Sequence, residues 1–286
     1  GYPRLNPRVR FVRRQLNGHI SAATNTALEM AEGTYCALLD HDDELAPHAL
    51  YMIAAELNEH PATDMIFSDE DKIDEQGTRY EPWFKSDWNY DLMLSQNAVV
   101  HLAVYRTSIL REIGGFRSSF DGSQDYDVTL RFSERTSPER IKHIPFILYH
   151  WRAIAGSVAL GETEKLYPYE AARRAIQEHL DRTGRGQAKV ESQDHLGYYR
   201  VRWPAPDPAP KVSIIIPTKD KIGLLRVAVE SILSKTLYPS FEIVVVNNRS
   251  EAPESLTYFS LINRHPSVRV IEYDEPYSFA ALNNWA

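Results

Sequence analysis

Tyr35-Cys36-Ala37-Leu38-Leu39-Asp40-His41-Asp42-Asp43 passes without a break from an apolar run into three carboxylates and a histidine. Five apolar residues in succession fit a strand buried on both faces, the kind found in sheets covered by helices. Upstream, Val9-Arg10-Phe11-Val12 reads as a short strand, Asn17-Gly18 as a turn, and Ser21 to Ala31 as a helix stopped near Gly33. Downstream, Pro47 to Leu57 is a second helix with apolar Leu50, Ile53, Ala54 and Leu57 on one face. Met65-Ile66-Phe67 is then a third strand, ending in Ser68-Asp69-Glu70-Asp71. Strands alternating with helices predict an α/β fold with a mostly parallel central sheet and flanking helices. Ligands of such sheets bind beyond the carboxyl ends of the strands. Two of these three predicted strands end in acidic clusters, which is the first functional signal.

Farther along, Tyr80 to Arg152 is rich in aromatics and loops, and Pro168 to Leu180 reads as an amphipathic helix stopped near Gly184 and Gly186. Val201 to Pro210 holds four prolines and reads as a stiff connection. A new α/β pattern follows, with strands at Val212–Pro217 and Glu242–Val246 and a helix at Leu224–Leu233. Pro266-Ser267-Val268-Arg269-Val270-Ile271 repeats the character of Pro7-Arg8-Val9-Arg10-Phe11-Val12, and Ala280-Ala281-Leu282-Asn283 that of Ala22-Ala23-Thr24-Asn25. The lag is roughly 260 residues, a single-domain spacing. The expected organisation is one domain over 1–205 that lacks its first strands, a Pro-rich linker over 206–210, and the opening half of a second copy over 211–286. Gly1 at one end and a helical pattern broken off at Ala286 predict that both ends are cut from a longer chain.

Composition narrows the classes. The 286 residues are 43% hydrophobic and 25% charged, enough for a sizeable core. A net charge of −7 with no basic stripe argues against a nucleic-acid partner. The one cysteine, Cys36, can form no internal disulfide and fits a reducing compartment. No apolar run has the length of a transmembrane helix, and peripheral membrane association through a longer parent is the expectation.

The acidic cluster at Asp40–Asp43 suits a hard divalent cation such as Mn2+ or Mg2+, which takes oxygen ligands and keeps positions for substrate phosphates. A strand end capped by Asp at a following helix is the plainer alternative. An EF-hand is excluded, because neither its glycine nor its last glutamate falls at the required place.

Asn17-Gly18 through Asn25, Ala31-Glu32-Gly33-Thr34-Tyr35 and Leu38-Leu39-Asp40-His41-Asp42-Asp43-Glu44-Leu45 together resemble the core signature of the family 2 glycosyltransferases. The resemblance continues through Phe67 to Asp74, Gly114-Gly115-Phe116, Gln124-Asp125-Tyr126-Asp127, His143-Ile144-Pro145 and His150-Trp151-Arg152. Val212 to Thr218 and Val244 to Ser250 resemble the opening of the same fold. The resemblance implies the GT-A fold with an Asp-X-Asp motif, as in the tandem bacterial enzymes that build O-antigen and other surface polysaccharides. It implies inverting, metal-dependent transfer of a sugar, of hexosyl or rhamnosyl type, from a UDP- or dTDP-sugar to a glycan or lipid-linked glycan. The setting it implies is the cytoplasm or the inner face of the plasma membrane.

Residue by residue, the resemblance makes Asp42 a metal ligand, with Asp40 on the metal or the donor ribose and His150 completing the shell. Asp125 would be the general base, unless it is a helix cap and Asp127 takes the part. Asp40, Asp43, Arg152, Pro217, Thr218, Asn247 and Asn248 would bind the donor. Asp69, Glu70, Asp71 and Gln124 would lie on the acceptor side, although a solvated acidic turn also accounts for the first three. Residues 211–286 would dock as a permuted replacement for the missing strands. A non-catalytic glycan- or partner-binding module with an idle acidic motif is the alternative from another class, and a nucleotidyltransferase would use the same motif.

Overall fold

The computed structural model describes residues 6–153 and 166–286. The chain divides into two units, Gly1–Pro204 and Ala205–Ala286. In chain order the first unit has α1 (His19–Met30), β1 (Tyr35–Ala37), β2 (Glu44–Leu45), α2 (Ala49–Glu59), β3 (Met65–Ile73) and β4 (Arg79–Trp83). There follow α3 (Tyr90–Ser95), β5 (Ala103–Arg106), α4 (Thr107–Glu112), α5 (Gln124–Ser133), β6 (Ile141–Arg152), α6 (Tyr167–Arg182), β7 (Lys189–Ser192) and β8 (Tyr199–Arg202). Its main sheet runs β1-β5-β3-β6-β2, with β4 paired to β3, and β7 and β8 form a separate hairpin.

Alternation along the central strands makes the two cores. Met65 and Phe67 of β3, with Ala103 and Tyr105 of β5, pack toward α5 and α6. Ile66 and Val104 point the other way and join Ile53 of α2 and Leu148 of β6. This is the period-2 pattern of a sheet covered on both faces.

Three expectations need correcting within this α/β frame. The first sheet is mixed rather than mostly parallel, because among its strand pairs only β3–β6 is parallel while β1–β5, β5–β3, β3–β4 and β2–β6 are antiparallel. Apolar content marks a strand as buried, but its direction is set by connections and partners elsewhere. Val9–Val12 is not a strand; Phe11 is 72% exposed, and Arg10 instead donates to the Met30 carbonyl at the end of α1 (3.0 Å). Without a neighbouring ladder, β-prone residues have nothing to pair with. Finally, β3 does not stop at Phe67. It continues to Ile73, so Asp69, Glu70 and Asp71 lie inside a buried strand and not in a solvated turn. Opposite them, Ser68 pairs with Ile144 but Asp69 with Ile147. Pro145, which has no N–H for the ladder, and Phe146 are accommodated in that irregularity.

Gly115 fixes the link from α1 to the sheet. Its φ is +64°, and a Cβ there would stand 2.3 Å from Asn25 Oδ1. That same oxygen accepts from the Phe116 N–H (2.8 Å), and Asn25 Nδ2 donates back to the Phe116 carbonyl (2.7 Å).

The second unit holds β9 (Val212–Thr218), α7 (Ile222–Lys235), β10 (Phe241–Asn247), α8 (Pro253–Ile262), β11 (Val268–Glu272) and α9 (Phe279–Trp285). Its sheet is wholly parallel in the order β11-β10-β9. Ile243 and Val245 pack on α7 and α8, whereas Val244 and Val246 face Leu282 of α9. Among the described residues, no helix is long and apolar enough to cross a membrane.

Candidate active site

The loop after β1 is shaped by β6. The Asp43 N–H reaches back to the Asp40 carbonyl (3.3 Å), closing a turn. From β6, the Arg152 N–H and the Tyr149 hydroxyl donate to the two oxygens of Asp43 (2.8 and 2.5 Å), and Tyr149 Oη accepts from the Asp40 N–H (3.2 Å). Arg152 Nε donates to the Asp42 carbonyl (2.7 Å), and its guanidinium also meets Glu44. Arg152 is therefore committed to holding the loop. The Asp42 carboxylate is half-buried, 3.4 Å from His41 Nδ1.

Across this loop lies His101, which had no sequence signal. Its ring stacks on Tyr149 at 4.5 Å and 8°. Nε2 is 3.9 Å from Asp40 and Nδ1 is 3.4 Å from Glu70, the latter without a well-aligned hydrogen bond. Burial alone would lower the imidazole pKa, but Glu70, Asp125 and Asp40 outweigh it and hold it above the ordinary value. Burial pushes the Asp40 carboxyl up; His101 opposes this, and Asp43, Asp125 and Asp42 add to it.

Asp125 occupies the first turn of α5, where a carboxylate also complements the helix dipole. Its Oδ2 accepts from Asn97 Nδ2 (2.7 Å). Burial pushes its carboxyl up against the opposing charge of His101. Asp127, the competing candidate, is fully buried between Arg117 and Arg131 and serves the core. Gln124 turns its Oε1 to the Gly122 N–H (2.8 Å).

Two cavities meet at Asp125. One of about 260 Å3 holds Asp40, His101, Gln124 and Tyr149. The other, of about 500 Å3, holds Glu70, Asp71, Trp83 and Tyr198. Asp125, Val100, Gly122 and Trp151 line both.

The acidic segment of β3 forms the wall behind them, each carboxylate with its own partners. Asp69 takes His143 Nε2 and the Lys85 N–H (both 2.8 Å). Glu70 takes Lys85 Nζ (2.9 Å) and the His101 N–H (3.1 Å). Asp71 takes His150 Nδ1 and Arg79 Nε, both at 2.5 Å. Burial would raise the Glu70 carboxyl, but His101 and Lys85 bring it below its usual value. For Lys85 burial wins and lowers the ammonium pKa despite Glu70 and Asp69.

Among the described residues, those that gather for a cation are Asp40, Asp43 and His101, whose ligand atoms lie within 4.8 Å of one another. Two carboxylates and an imidazole suit Mn2+. The group differs from the expected Asp42, Asp40 and His150, and His150 is engaged with Asp71.

In the second unit, Pro217 and Thr218 end β9 and Asn247 ends β10, at the carboxyl edge of the parallel sheet. Asn247 Nδ2 donates to Glu272 (2.7 Å), and Asn248 Nδ2 to the carbonyls of Tyr273 and Glu275 (3.0 and 2.9 Å). Both amides thus brace the loops of that edge.

The chain is similar to several known proteins. The chain is 46% identical over 286 residues to "Uncharacterized protein y4gI" of Sinorhizobium fredii, covering 100% of this chain and 31% of that protein. It is 39% identical over 281 residues to "O-antigen biosynthesis protein RfbC" of Myxococcus xanthus, covering 98% of this chain and 21% of that one. The chain thus spans between a fifth and a third of the length of these relatives. The crystal structure of S. aureus TarS 1-349 superposes with a TM-score of 0.42 at 19% identity, over 58% of this chain and 47% of that one. Residues 1–114, which hold the Asp40–Asp43 loop, β3 and His101, match the family model "Glycosyl transferase family 2".

Proposed function

We propose that the chain transfers a sugar from a nucleotide-sugar, a UDP- or dTDP-sugar, to a hydroxyl of a growing surface glycan or lipid-linked glycan, with inversion. The observation that carries this reading is the shared position of Asp125, which lines the Asp40 cavity and the larger aromatic cavity alike. The donor sugar sits on the Asp40 side and the acceptor on the other. The acceptor oxygen attacks the anomeric carbon, and its proton passes to the Asp125 carboxylate. The bond from that carbon to the diphosphate oxygen breaks with its electron pair, releasing the nucleoside diphosphate. A carboxylate kept partly out of water, with a raised pKa, is a competent base for this step. One attack from the opposite face needs no second, nucleophilic carboxylate, unlike a retaining glycosidase.

Asp40, Asp43 and His101, with Asp42 beside them, would hold Mn2+ or Mg2+, which neutralises diphosphate charge when bound. Arg152 acts by fixing the loop that carries these ligands. Glu70, Asp69 and Asp71 act behind the acceptor side, as the wall that sets His101 and Lys85. Pro217, Thr218, Asn247 and Asn248 form the nucleotide-facing edge of the opening half of a second copy.

The test is donor hydrolysis and transfer by Asp125→Asn. The variant should bind donor as wild type does and lose turnover. Wild-type turnover in Asp125→Asn would refute the assignment.

A further inference from the structure

Resting on that reading, we infer that the larger cavity accepts an uncharged pyranose at the growing end of the glycan and rejects uronate or sulfated ends, with the β7–β8 hairpin as its selective lip. The walls are aromatic: Trp83 from β4, Trp151 from β6, Tyr169 from α6 and Tyr198 from the hairpin. Aromatic faces cover the C–H face of a sugar ring and carry negative charge density, which disfavours an anion above them. The volume of about 500 Å3 is that of a small-ligand pocket.

The charges along the wall point the same way. Among the described lining residues there are four carboxylates, Glu70, Asp71, Glu81 and Asp125, and one cation, Lys72. Lys72 Nζ is spent on Glu81 at 2.7 Å. Glu70 is answered from behind by Lys85 (2.9 Å) and Asp71 by Arg79 (2.5 Å). Asp125 has only the neutral amide of Asn97 as its direct side-chain partner among the described residues (2.7 Å). An acidic sugar would therefore find no unpaired cation among the described lining residues and would face the Asp125 carboxylate. Binding an anion without a cation in a partly desolvated site is strongly unfavourable.

Tyr198 is the position at which this selectivity can be changed. It is 51% exposed and stands where the hairpin closes, its carbonyl accepting from the Gln193 N–H (3.0 Å) and its N–H donating to the His195 carbonyl (3.3 Å). Neither backbone bond depends on its ring, so substitutions there leave the hairpin intact.

The experiment is a printed array of glycans ending in hexose, 6-deoxyhexose, N-acetylhexosamine, hexuronate or sulfated hexose. It is probed with the labelled chain in Mn2+ and nucleoside diphosphate, with donor binding followed separately. Neutral ends should bind and acidic ends should not. Tyr198→Ala should weaken neutral binding about tenfold, and Tyr198→Arg should raise binding to hexuronate ends about tenfold. Preference for acidic ends by the wild type, or no change in either variant, overturns the inference while intact donor binding leaves the glycosyltransferase reading standing. No glycan bound by a chain that binds donor also overturns it.

Discussion

Replacing Lys85 by methionine removes the cation from the wall of buried carboxylates while keeping most of the side chain's volume. Lys85 and Glu70 side chains are 1% and 5% exposed, so water cannot replace the partner. The ammonium also satisfies the carbonyls of Val99 and His101. Breaking a buried pair from one side costs about 3–5 kcal/mol. Glu70 keeps the His101 N–H and imidazole, while the two orphaned carbonyls add their own penalty, so the middle of that range is expected. In a unit of this size it lowers Tm by roughly 6–20 °C. The pH dependence has a definite sign. The Glu70 carboxyl lies below its ordinary value in the native state, so its contribution is present above the unfolded pKa and lost as pH falls through the folded one. The deficit of Lys85→Met should thus be full at neutral pH and shrink as pH falls below the ordinary carboxylate range. Urea unfolding of both single variants and of Lys85→Met/Glu70→Gln, followed at several pH values, measures it. The double variant should recover most of the loss, since a neutral amide needs no cation. Additive single losses, or a deficit under about 1 kcal/mol at pH 7, would refute the argument.

Asp127→Ala should destabilise the chain by about 3–5 kcal/mol, read by urea unfolding, because Arg117 and Arg131 lose their shared carboxylate. Gly115→Ala should cost about 1–3 kcal/mol in the same assay, from the contact with Asn25 and the positive φ. Asp125→Asn should reduce transfer about 100- to 10,000-fold without a matching loss of donor affinity. The acid limb of the wild-type rate profile should lie above the usual carboxylate range, because burial raises Asp125 and the base works only when deprotonated. Tyr149→Phe should weaken metal-dependent donor binding by roughly tenfold in calorimetry, since Asp43 loses a hydroxyl donor at 2.5 Å.

The features legible in the sequence were those with a local cause. Continuous apolar runs mark the start of β3 and the strands of the second unit, and helical patterning marks α2 and α6. The Asp40–Asp43 loop stands out by residue type at a strand end, whereas Asp125 is marked only by the resemblance to the family 2 glycosyltransferases. The antiparallel run of β5 between β1 and β3 was hidden, because Ala103–Arg106 has the same composition in either direction. His101, Lys85 and Asn97 were hidden for a related reason. Each is an isolated polar residue whose role arises only when β3, α5 and the loop after β1 converge on it. The burial of Asp69, Glu70 and Asp71 could not be read locally either, since their partners Lys85, His143, His150 and Arg79 come from elsewhere in the chain.

The most direct test of the central claim is calorimetric titration of UDP- and dTDP-sugars into the chain with Mn2+ and then with EDTA, for wild type, Asp40→Asn and Asp42→Asn. One nucleotide-sugar should bind in Mn2+, lose affinity in EDTA, and lose it again in Asp40→Asn. Absence of binding by every donor, or binding indifferent to both the metal and Asp40, would contradict the account.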